Sequence, residues 1–182
     1  MKVVAASAAL VRLQVPEAPE AMGVLTRAVE QGPSHDRIYA ISVAPLTNPN
    51  VRAALVKASG DHDDTVALAA LGRLVETPVD AGGSRAGSSE RRAAAAKLLR
   101  IANGSTTRSL IARGALSRGG VREVAPYLHR DVASTDLRVR EAAGTGLVEM
   151  GELGRAAPLV ADPDERVRTT VACAIVRAPP SK

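Results

Sequence analysis

The feature that most constrains this chain is that it repeats itself. The stretch "STDLRVREAAGTGL", Ser134 to Leu147, returns as "DPDERVRTTVACAI", Asp162 to Ile175. Each copy has small polar and acidic residues, then a Val-Arg pair, then a small-residue run ending on a large aliphatic. Aligned on Leu147, further copies end at Leu10, Ala44, Leu74, Leu116 and Ile175, with steps of 34, 30, 42, 31 and 28 residues. Such a period marks a stack of supersecondary units, each too small to bury its apolar face alone. The step of 42 contains "ETPVDAGGSRAGSSERR", Glu76 to Arg92, whose Gly, Ser and Pro content predicts a loop inserted between repeats.

Within a unit the spacing is helical. Val139, Ala142, Ala143 and Leu147 fall at i, i+3, i+4 and i+8, on one face of one helix. A break such as Gly151 follows, and then a second short amphipathic segment: "ELGRAAPLVA" here, "VREVAPYLHR" one unit earlier, "APEAMGVLTRAVE" in the first unit. Each unit therefore reads as two antiparallel helices. In the second unit Pro45 should end or kink the first helix, and "NPNVRAALVKASG", Asn48 to Gly60, supplies the second.

Composition agrees. Two Tyr, no Phe and no Trp occur in 182 residues, so the core must be made of Ala, Val and Leu. Ala is the strongest helix former, whereas strands favour aromatic and β-branched residues. One cysteine, Cys173, excludes an intramolecular disulfide and a Cys-based zinc site, and fits a reducing, cytoplasmic compartment. The start, "MKVVAASAALVRLQ", has the Lys and apolar run of a signal peptide, but Arg12 interrupts it and no A-x-A site follows. No apolar run reaches the roughly 20 residues of a membrane span.

The acidic and Val-Arg positions have a mechanical reading. Asp162 or Asp164 is expected to cap the last helix, with Pro163 in its first turn. Arg168, and Arg140 after Asp136, are expected to reach an Asp in a loop of the same or the adjacent repeat and fix its orientation.

These motifs, with "DDTVALAALGRLV" and "KVVAASAALVRL", resemble the HEAT-repeat family, in particular the short bacterial repeats also called PBS-lyase HEAT-like. The resemblance covers most of the chain, least well Arg37–Gly60 and Glu76–Arg92. It implies one all-α domain over residues 1–182, a right-handed α-α superhelix of about five to six hairpins, with the second helices on the concave side. Members mostly act as protein-binding scaffolds. Some assist bilin attachment, and one related group excises alkylated bases from DNA. Met1 and Lys2 fall directly inside the first repeat helix, as expected of a fragment of a longer array or of an exposed first helix that pairs with a partner.

Few residues suggest chemistry. "DHDD", Asp61 to Asp64, could gather a divalent cation, but reads more simply as a helix start. "SHD", Ser34 to Asp36, has the residue types of a hydrolytic triad without the geometry. Gly144 to Gly151, "GTGLVEMG", reads as helix packing, Cys173 as a small core residue, and His129 as a solvent-facing helix end. No catalytic, cofactor or metal site is expected.

Charge is more informative. Residues 1–90 hold 8 Lys/Arg and 10 Asp/Glu, a balance of −2, and residues 91–182 hold 16 and 9, a balance of +7. Arg91, Arg92, Lys97 and Arg100 lie on or before the second helix of the third unit, Arg122 and Arg130 flank that of the fourth, and Arg155 lies in that of the fifth. If second helices line a concave face, these seven form one basic track for an acidic protein segment. The alternatives are a phosphate backbone, held without sequence preference, and a lyase or chaperone role. With only Tyr39 and Tyr127 to stack on, base chemistry is not expected.

Overall fold

The computed structural model describes residues 2–76 and 85–178, and all its regular structure is helical. It divides into two compact units, Met1–Ala94 and Ala95–Lys182, where the repeats alone suggested a single array.

In the first unit, α1 (Lys2–Leu13), α3 (Ser34–Val43) and α5 (Asp64–Val75) pack side by side as one layer. A second layer is formed by α2 (Ala18–Glu30) and α4 (Pro49–Ala58), each packed on the other and on the first layer. Leu25, Val29, Ile41, Leu55, Val66 and Val75 are fully buried between them. The helix α6 (Arg85–Ala102) contains the boundary between the units. In the second unit, α7 (Thr107–Arg118), α9 (Leu137–Glu149) and α11 (Glu165–Arg177) form one layer. Opposite them lie α8 (Ala125–Asp131), preceded by the 3-10 turn Arg122–Val124, and α10 (Leu153–Ala156), continued by the 3-10 turn Ala157–Ala161. Leu98, Leu116, Val124, Leu128 and Leu147 are the largest side chains fully buried here. Each unit is thus an all-α, two-layer helical repeat.

Local chemistry sets these boundaries. Asn48, Asp63, Asp136 and Asp164 each accept a backbone N–H from the first turn of the helix that follows, at 2.8–2.9 Å, satisfying donors that a helix start leaves free. Pro45 follows the end of α3, and Asn48 opens α4, as the sequence predicts. Two chain reversals repeat 31 residues apart: Gly120 at φ +64° and Gly151 at φ +77°. In both, the next N–H returns to a carbonyl one turn inside the preceding helix, Val121 to Leu116 and Glu152 to Leu147, each at 2.9 Å. Only glycine takes these positive φ values without strain.

Five expectations are corrected. The loop expected over 76–92 is shorter, because α6 already begins at Arg85; residues 77–84 lie outside the described ones. Pro163 precedes the cap Asp164, so α11 starts at Glu165 and Pro163 is not in its first turn. Cys173 is exposed rather than in the core. The buried face of α9 is Ala143, Gly144, Gly146, Leu147 and Val148, with Val139 and Ala142 only half-buried. His129 is about one-third exposed and holds the carboxylate of Glu152.

Candidate functional site

Arginine has two distinct jobs in this chain, and they must be separated before a site is named. The first job is internal. Arg37 on α3 is buried, donates through Nε to the Val29 carbonyl at 3.1 Å, and pairs with Asp61. That guanidinium, helped by the Asp63 N–H, holds the Asp61 carboxyl down to about 2. Arg113 on α7 is buried, donates through Nε to the Ala102 carbonyl at 2.8 Å, and pairs with the buried Asp131. Arg140 on α9 grips Asp162 with two prongs, Nε to Oδ2 at 2.7 Å and Nη2 to Oδ1 at 2.9 Å. This fork lowers the Asp162 carboxyl below its ordinary value and raises the guanidinium of Arg140. The Arg37 and Arg140 pairs each tie a helix to the loop ahead of the next repeat, and Arg113 ties α7 to the last residue of α8, each within its own unit.

Arg140 thus reaches the Asp of the adjacent repeat, as expected. Asp136 instead caps α9 and binds Arg138 at 3.1 Å. Arg168 departs from expectation in its hydrogen bonds: it donates through Nη1 to the carbonyls of Asp162 and Pro163, at 2.8 and 3.0 Å, and to no carboxylate among the described residues, although its charge helps lower the Asp162 carboxyl. The pair of Arg113 and Asp131 was missed in the sequence because Arg113 lies outside the Val-Arg motif.

The second job is external, and the seven basic residues singled out by charge divide here. Arg91 is half-buried and donates to the Val75 carbonyl at 2.9 Å, which makes it part of the scaffold of the first unit. Arg92, in the same unit, is exposed. The other five all belong to the second unit. Lys97 and Arg100 are exposed on α6, and Arg122 is exposed on the turn before α8; none has a partner among the described residues. Arg130 is exposed on α8, lies 3.3 Å from Asp131, and stands 5.8 Å over the ring of Tyr127. Arg155 on α10 is exposed, with Glu152 at 3.6 Å. Arg130 also lines a cleft of about 500 Å³ together with Asn103, Gly104, Arg113 and Ser134.

The motifs with catalytic residue types are placed elsewhere and used otherwise. Asp61 serves Arg37, Asp63 caps α5 and accepts the Ser34 hydroxyl, and His62 points into solvent. Among the described residues no three His, Cys, Asp or Glu side chains are grouped to hold a metal ion. Ser34, His35 and Asp36 follow one another on the first turn of α3, with His35 exposed. Gly144 and Gly146 sit in close packing: a Cβ on Gly144 would lie 2.5 Å from Val171 Cγ2, and one on Gly146 would lie 2.9 Å from Ser117 Oγ. No described helix is long and apolar enough to cross a membrane.

No family model matches the chain, and no curated protein matches it significantly.

Proposed function

We propose that this chain is a non-enzymatic α-helical scaffold, HEAT-like and cytoplasmic, that binds an acidic segment of a protein partner along the basic residues of its second unit, on α6, α8 and α10. One observation carries the reading. The internal arginines are matched to aspartates, whereas Lys97, Arg100 and Arg122 are exposed and make no ion pair among the described residues. Exposed cations without an internal partner cost the fold little and steer an oppositely charged partner. Arg130 and Arg155, exposed on α8 and α10 of the same unit, extend the same charge.

The test is an affinity capture from native lysate with and without nuclease. A stoichiometric protein that survives nuclease supports the reading. Material lost on nuclease treatment assigns the charge to a phosphate backbone instead, and its affinity should then fall steeply with salt.

A further inference from the structure

The register of the repeat exposes a second surface, on other residues than the basic ones of α6, α8 and α10. Arg140 and Arg168 are 28 residues apart and make the same local contacts. Arg140 donates through Nη1 to the Ser134 and Thr135 carbonyls at 2.9 and 3.3 Å. Arg168 donates through Nη1 to the Asp162 and Pro163 carbonyls at 2.8 and 3.0 Å. The remaining fork of Arg140, Nε and Nη2, is filled by Asp162. The same fork of Arg168 makes no hydrogen bond among the described residues.

The rest of the face follows the same offset. On α9, Arg140, Gly144 and Val148 lie along one side, with Gly144 tight against Val171 of α11 and Leu159 of the turn before it. Val148 is only 7% exposed. Their counterparts on α11 are Arg168, Ala172 and Val176. Ala172 is half-exposed and Val176 is 85% exposed. What α11 and its preceding loop do to α9, no described element does to α11.

We propose that this face of α11 docks a loop-plus-helix segment of a partner protein, with an Asp ahead of the helix placed in the Arg168 fork and small aliphatics over Ala172 and Val176. The charge selects the occupant. A second copy of this chain is poorly suited, because Asp61, Asp131 and Asp162 are already held by Arg37, Arg113 and Arg140. Its first helix, α1, carries Lys2 and Arg12 and no acid. The segment that fits is like the one covering α9, Leu159–Arg177, in which Asp162 lies two residues before the cap Asp164.

The experiment titrates the full chain, isotopically labelled for NMR, with a synthetic peptide of sequence Leu159–Arg177 carrying Cys173→Ser. Expected are shifts centred on Arg168, Ala172 and Val176. A peptide carrying Asp162→Asn should bind at least about tenfold more weakly, as should the wild-type peptide to an Arg168→Gln chain of unchanged melting temperature. The Asn peptide keeps the test valid even if the Arg168 variant fails to fold. Absence of binding at about 1 mM peptide, equal binding of the Asn peptide, or shifts at Arg140 and Gly144 from displacement of the chain's own α11 would each overturn the proposal. So would self-association of the chain that Val176→Asp abolishes. Charge reversal at Lys97, Arg100 and Arg122 should leave peptide binding unchanged, which separates this surface from the function proposed above.

Discussion

Arg140 on α9 holds both carboxylate oxygens of Asp162, 22 residues further along the chain and immediately before the last described helix. The fork is 15% exposed on the arginine side and 3% on the aspartate side. It does more than join two residues. The same guanidinium holds the Ser134 carbonyl, and Asp162 Oδ1 accepts the Asp164 N–H at 2.9 Å. One ion pair therefore fixes the loop before α9, the loop before α11, and the distance between them.

The sister pair formed by Arg113 and Asp131 is the more deeply buried, at 4% and 7% exposure. Removing one member strands the other charge without water. Asp131→Ala should cost about 3–5 kcal/mol, read by urea unfolding at neutral pH. A cost under about 1 kcal/mol, the range of surface pairs, would contradict the structural role.

Acid should weaken the first unit through Asp61. Its folded carboxyl titrates at about 2, against 3.8 ordinarily. A carboxyl depressed on folding stabilises fully above its unfolded value, and that contribution is lost as pH falls toward the folded value. The wild-type melting temperature should fall between about pH 4 and pH 2. Asp61→Asn should flatten that part of the profile while lowering stability at neutral pH. Asp162, held below its ordinary value by Arg140, contributes a loss of the same sign in the second unit as pH falls.

Two glycines should respond oppositely to the same change. Gly23, inside α2, has nothing within 4 Å of an added Cβ, so Gly23→Ala should stabilise by about 0.5–1 kcal/mol. At Gly144 the added Cβ would meet Val171 Cγ2 at 2.5 Å and Leu159 Cδ1 at 2.8 Å. Overpacking of about 1–3 kcal/mol outweighs the gain in helix propensity there, so Gly144→Ala should destabilise. Thermal unfolding of both variants checks the contrast.

Capping should matter less than the buried pairs. Asp164→Ala frees the Arg166 N–H that it accepts at 2.9 Å and should cost about 1 kcal/mol. Asp164→Asn should recover most of it, since the amide oxygen can accept the same bond.

How much of this was legible in the sequence depends on range. Local signals carried well: Pro45 ends α3, Asn48 opens α4, and "APEAMGVLTRAVE" is α2 to the residue. Signals that depend on a neighbour carried less well. Cys173 and Ile175 have the spacing of core residues, yet nothing described packs over them, so the thiol is exposed and Ile175 only half-buried. Leu10 is likewise half-buried on α1, whereas Leu116 and Leu147, inside the stack, are fully covered. The amphipathic pattern marks one short second segment in each later unit and does not show its division into short α and 3-10 pieces, which Pro126 and Pro158 accompany. For the basic residues, the sequence showed charge but not partners. It could not tell Arg91, committed to the Val75 carbonyl, from Lys97, Arg100 and Arg122.

The most direct measurement is a nuclease-treated affinity capture that compares the wild-type chain with Lys97→Glu/Arg100→Glu/Arg122→Glu. The variant should keep its helical circular dichroism and lose the protein partner recovered by the wild type. Retention of that partner by a folded, charge-reversed chain would contradict binding through the basic residues of the second unit.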